Sequence, residues 1–149
     1  MDQATRQFVL ELLAQHNNLS LATVREDGYP QATTVAYVND GLTLYVGTSA
    51  AAQKVGNIRR NPRVSLTIDR DYPDWNQIKG LSLSGTATIV EDENERARVY
   101  RLMQDKFPPL ATMPMPEDLS QVSVIQITPK FIAVLNYEKG FGHSELFEL

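Results

Sequence analysis

GYPQATTVAYVNDGLTLYVGTSAAAQKVGNIRRNPRVSLTI, residues 28–68, holds two β-prone runs, a helix and the start of another strand. The runs QATTVAYV and LTLYV flank Asn39-Asp40-Gly41, whose Asp-Gly pair supplies the turn of a tight hairpin. The second run leads through Thr48 and Ser49 into AAAQKVGNIRR, which reads as a short helix ended by Asn61-Pro62 before RVSLTI. The spacing predicts hydroxyls at the helix start, with its free N–H groups and positive dipole end facing the end of the preceding strand. Lys54 follows about a turn and a half in, and an ammonium reaching back to that spot suits the phosphate of a nucleotide-like cofactor. Ordinary capping also accounts for Ser or Thr there, and helix lysines are commonly solvated. Arg59, Arg60 and Arg63 form a local basic cluster, the first two placed to complement the negative end of the helix dipole.

Upstream, Phe8, Val9, Leu12 and Leu13 recur at helical spacing and Asn17-Asn18 gives a stop, so the chain opens with an amphipathic helix. LSLATV then precedes Glu26-Asp27-Gly28, so three antiparallel strands joined by two hairpins are expected between Leu19 and Val46. Downstream of RVSLTI, the polar aromatic loop DRDYPDWNQ leads into IKGLSLSGTATIV, where Gly80 and Gly85 suggest bulges that curve a strand around a barrel. A second helix, EDENERARVYRLMQDKF, runs from acidic to basic and offers Val99, Leu102, Met103 and Phe107 to a core. The proline-rich PPLATMPMPEDLSQ reads as a loop or lid, followed by two strands, VSVIQIT and KFIAVLNY. Six or more antiparallel strands with covering helices point to an α+β closed or split β-barrel, a single domain over residues 1–149.

The chain of 149 residues, 42% hydrophobic and 21% charged, has the composition of a globular domain. No apolar run is long enough to span a bilayer, and the first residues do not read as a secretion signal, so a cytoplasmic location is expected. A net charge of −4 and a pI near 5.1 argue against broad attraction to nucleic acid or anionic membrane. Zero cysteines exclude disulfides, thiolate metal sites and cysteine nucleophiles, and two histidines, His16 and His143, leave little for a metal. Redox chemistry would have to come from a cofactor.

Taken together, the Gly-x-Pro before a strand, the Asp-Gly hairpin, the Thr before a helix, the following Lys, and Asn-Pro-Arg-Val-Ser-Leu resemble the FMN-binding split-barrel family related to pyridoxamine 5′-phosphate oxidase. The similarity runs from Leu19 to Phe107, through SLSGTATIV and the later helix. It implies FMN, with Thr33, Thr34 and Val35 along the isoalloxazine ring and ribityl chain. Thr48 and Ser49 would bracket the phosphate end, with Lys54 its principal cation and Gln53 beside it. Family members bind flavin at a two-fold interface, so a homodimer is implied, with Trp75 and Gln77 reaching the site from the partner. The family pattern often has arginines where this chain has Ala32 and Gln53, which lowers the positive charge around the phosphate.

A flavin carries its own electron chemistry, so no catalytic acid or base has to be assigned, and none is. The threonines are also simply good strand formers, and Trp75 could equally cover the open end of the barrel. The tail NYEKGFGHSELFEL lacks the Arg-x-His type signature that holds the substrate phosphate in true pyridoxamine 5′-phosphate oxidases, which argues against vitamin B6 oxidation. The expectation is an FMN-dependent oxidoreductase taking electrons from a nicotinamide donor or a small reduced substrate. The alternative is a non-catalytic flavin, deazaflavin or haem binding protein. His143 reads as a surface residue of a mobile tail, or, on the sharper view, as an axial haem ligand.

Overall fold

A computed structural model describes residues 1–114 and 118–149. The strands are β1 (Asn18–Val24), β2 (Pro30–Ala36), β3 (Val38–Asp40), β4 (Thr43–Ser49), β5 (Arg63–Ile68), β6 (Lys79–Val90), β7 (Val122–Asn136) and β8 (Ser144–Glu148). The helices are α1 (Gln3–Gln15), α2 (Gln53–Arg60) and α3 (Glu93–Lys106). All ladders are antiparallel, in the order β2-β1-β5-β6-β7-β4-β3, with β8 added to β7. The sheet curls until β2 lies beside β4 with no ladder between them, which makes it an α+β split barrel.

The core follows from the alternation of the strands. β1 and β5 bury every second residue, among them Leu19, Leu21, Val64 and Leu66. These meet Leu44 and Val46 of β4, Leu81 and Leu83 of β6, and Ile125, Ile127 and Ile132 of β7 inside the barrel. Val9 and Leu13 of α1 are fully buried in the same cluster. Asp2 caps α1, its carboxylate accepting from the Thr5 N–H at 2.7 Å, and that bond holds the carboxyl below its ordinary range. A second cluster lies on the other face of the sheet, where Val99 of α3 covers Val38, Tyr45 and Val124. Leu102 and Met103 pack against it, as their spacing predicts.

Four sequence expectations change. QATTVAYV does not run as one strand: Tyr37 breaks it, so β2 and β3 lie at opposite ends of the sheet order. Tyr37 is fully buried, donates from its hydroxyl to Leu13 O at 2.6 Å and from its N–H to Asn17 O at 3.2 Å. The second expected hairpin is thereby shortened to Val38–Asp40 paired with Thr43–Tyr45. VSVIQIT and KFIAVLNY are one strand, β7, that passes through Pro129; the register shift lies opposite, at Ser84/Gly85. A Cβ on Gly85 would overlap the Thr128 carbonyl oxygen and lie 2.9 Å from Pro129 Cα, so close backbone approach fixes glycine there. The tail expected to be mobile forms β8. Finally, Thr48 and Ser49 belong to β4, paired with Ser123 and Val122, and do not cap α2, whose N-cap is Ala52.

Candidate flavin site at the β2–β4 seam

The seam combines a strand edge with a helix start. Along β2, Gln31, Thr33 and Val35 are half-buried while Ala32, Thr34 and Ala36 are exposed, so the three implied ring residues divide between two faces. Val35 packs against the main core, Thr33 shares its face, and Thr34 points the other way. Thr48 is half-buried at the end of β4, on the face of Val46. Ser49 is exposed and accepts from the Ala51 N–H through Oγ at 3.2 Å, shaping the turn into α2.

Ala52 has no side chain to cap α2, and the N–H groups of Gln53 and Lys54 have no partner among the described residues. Two donors and the positive end of the helix dipole are thus unspent beside the half-buried Lys54. Gln53 is tied to the seam, its Oε1 accepting from Nε2 of Gln31 at 2.9 Å. Behind that pair lies a buried polar network. Asn57, fully buried, donates through Nδ2 to Thr23 Oγ1 at 3.0 Å and to Gln31 Oε1 at 3.3 Å. Its Oδ1 accepts from Arg60 Nη2 at 3.0 Å.

Gln31 and Asn57 were not singled out in the sequence, and Arg60 was read only as a complement to the helix dipole. The available signal was spacing: Gln53, Asn57 and Arg60 fall at i, i+4 and i+7, a polar stripe on a helix that also buries Val55 and Ile58. Arg59 and Arg60 do occupy the last turn, and Arg59 lies 3.6 Å from Glu91.

Trp75 and Gln77 lie elsewhere in the chain, on a 3₁₀ turn (Trp75–Gln77) that packs against a second one (Tyr137–Lys139). Trp75 is 67% exposed, and the main packing partner of this turn is the Tyr137–Lys139 turn. Each histidine has one ring nitrogen engaged, and the buried Nε2 of His16 has no partner among the described residues. His16 is buried with Nδ1 2.8 Å from Leu12 O, and His143 places Nε2 2.7 Å from Glu145 Oε1 in the β7–β8 turn. Among the described residues no group of three His, Cys, Asp or Glu could hold a metal, and no helix is long and apolar enough to cross a membrane. The proline-rich loop begins with a 3₁₀ turn (Pro108–Ala111) and ends with another (Leu119–Gln121); residues 115–117 lie outside the described residues.

Comparison with known proteins agrees with this architecture. General stress protein 26 of Bacillus subtilis is 28% identical over 133 residues, 85% of this chain and 94% of that protein. The heme oxygenase HutZ of Vibrio cholerae is 27% identical over 103 residues, 66% of this chain but only 58% of HutZ. A solved structure from Listeria innocua, provisionally assigned as a pyridoxamine 5′-phosphate oxidase, is 30% identical with a TM-score of 0.73, covering 89% of this chain and 98% of its own. The profile of the pyridoxamine 5′-phosphate oxidase family itself matches residues 5–136, from α1 through the last residue of β7. With the barrel, the seam and most of the chain thus accounted for by one profile, this protein belongs to the pyridoxamine 5′-phosphate oxidase family.

Proposed function

We propose that this chain binds FMN at the β2–β4 seam as a homodimeric oxidoreductase whose substrate is not pyridoxamine 5′-phosphate. The observation that carries the reading is the unspent donor set at the start of α2: two N–H groups beside the Lys54 ammonium. That set suits a phosphate, which accepts hydrogen bonds and carries charge. From there β2 extends Gln31, Thr33 and Val35 on one face, a lining without carboxylates that would repel an anionic reduced ring. When bound, FMN supplies the electron transfer. The protein's part is to hold the phosphate with Lys54, fix the α2 register through Gln31, Gln53 and Asn57, and shield one face of the ring. A groove of about 710 Å³ across β1, β5, β6 and β7, flanked by Lys130 and Phe131, is the surface offered to the second copy. Trp75 and Gln77 then reach the site from the partner subunit.

Titration of apoprotein with FMN should quench flavin fluorescence saturably at micromolar concentrations; absence of quenching overturns the reading. The second reading, haem or deazaflavin binding without turnover, is favoured by the similarity to HutZ. It is weakened by the burial of His16, which keeps its free Nε2 from a bulky macrocycle. The absorption spectrum of the purified protein separates the three pigments, and sedimentation tests the dimer.

A further inference from the structure

Between α3 and the β4–β7 ladder lies a cavity of about 380 Å³. Val99 and Met103 of α3, Val122 and Val124 of β7, and Leu110 line it, and Gly47 of β4 forms part of the wall. Nothing in the backbone requires glycine at position 47. Its φ is not positive, and a Cβ there would meet only Met103 Cε, at an ordinary 3.9 Å. The missing side chain therefore relieves no clash; it keeps space open beside the strand, as strand glycines do where a ligand approaches.

The charged lining residues are Arg96, Arg101 and Glu93, a surplus of one positive charge. Arg96 donates through Nη2 to Leu119 O at 3.0 Å and Val122 O at 2.9 Å, which fixes its guanidinium at the cavity. Its Nε and Nη1 have no partner, and neither arginine is ion-paired, among the described residues. A pocket of this volume with apolar walls and a few convergent polar groups has the composition of a small-molecule site. An unpaired guanidinium edge matches a carboxylate.

We propose that this cavity binds a small amphiphilic monocarboxylate, its apolar body against Gly47, Met103 and Val124 and its carboxylate at Arg96 and Arg101. The site is separate from the flavin seam. Gly47 and Thr48 are consecutive on β4 and project to opposite faces, Gly47 with Tyr45 toward α3 and Thr48 with Val46 toward the barrel.

The test is calorimetric titration of the full chain with decanoate, using decanol as the uncharged comparator. The expected result is saturable binding of one decanoate per chain, about tenfold weaker for decanol and for the Arg101→Gln variant, the scale of one charge-assisted contact. Gly47→Leu, which fills the cavity, should lose decanoate while keeping its circular dichroism spectrum; if that variant does not fold, Arg101→Gln decides alone. No saturable binding, undiminished binding by folded Gly47→Leu, or equal affinities for decanoate and decanol would overturn the proposal. FMN titration of the same preparations reports on the flavin site separately, so either reading can fail alone.

Discussion

Twelve successive partners join β6 to β7, from Lys79 opposite Asn136 to Val90 opposite Val124, whereas no ladder joins β2 to β4. Along the first contact the backbone donors and acceptors are spent on each other, and the side chains need only be apolar on the barrel side. Beside the second, side-chain amides tie β1 and β2 to α2: Gln31 to Gln53, and Asn57 to Thr23 and Gln31. A ladder leaves no polar group for a ligand. A seam does, because the strand edge and the first turn of α2 keep donors that the fold itself does not use. The difference also concerns reach: the ladder fails when backbones are forced apart, and the seam when one buried amide is removed.

The largest effect expected is at the ladder. Gly85→Val places side-chain atoms into the Thr128 carbonyl and should destabilise the protein by about 3 kcal/mol or more, read as a lowered urea midpoint. A variant as stable as the wild type would show that the bulge can open at little cost. At the seam, Lys54→Ala should weaken FMN binding by about 1.5–3 kcal/mol, roughly ten- to a hundredfold, with riboflavin nearly unaffected. Equal losses for the two flavins would move Lys54 from the phosphate to the fold. Asn57→Ala strips partners from Thr23, Gln31 and Arg60 at once and should cost about 1–3 kcal/mol of stability in the same urea assay. Unchanged stability would mean that water replaces the amide and that the seam is looser than its hydrogen bonds imply.

The smallest effect expected depends on pH. Burial lowers the Lys106 ammonium from an ordinary 10.5 to about 8. Its Nζ sits 3.8 Å over the Tyr37 ring and 3.4 Å from Leu13 O, contacts that favour the charged form and offset part of that penalty. With the folded value below the unfolded one, the folded state releases its proton first as pH rises. Stability should therefore increase from about pH 8 toward 10.5, and the cost of burying the charge is fully present below that window. Lys106→Met should be more stable at pH 7 by about 1 kcal/mol after solvent screening, and should lose that pH dependence in thermal melts. A variant that is destabilised at pH 7 would show the cation–π contact outweighing burial.

The fold was legible where local signals sufficed. Alternation marked the strands, Asp27-Gly28 and Asp40-Gly41 marked turns, and acidic-to-basic polarity marked α3. What escaped depended on distant partners. Tyr37 breaks its strand because it bonds to Leu13 of α1 and to Asn17 just before β1, residues that no local window contains. Pro129 reads as a stop, yet the strand continues through it because the bulge at Gly85 lies across the ladder. Thr48 and Ser49 look like caps and are held in β4 by Ser123 and Val122. At the candidate site, Lys54 was legible from the helix it helps begin, and Gln53 only through the family resemblance. Gln31 and Asn57 were not, since their partners Gln53 and Thr23 lie 22 and 34 positions away in the chain.

The strand order also sets a timetable for synthesis. Leu44 pairs with Ile127 and Ser49 with Val122, so β4 waits for a strand that begins 73 positions later in the chain. At 5–20 residues per second that interval lasts roughly 4–15 s, far longer than the microseconds a β3–β4 hairpin takes to form. During it one edge of LTLYV is open to any extended chain nearby, a template for mispairing. Full closure of the barrel is therefore a late event in the life of the nascent chain, and a ribosome stalled before Val122 should release an aggregation-prone product.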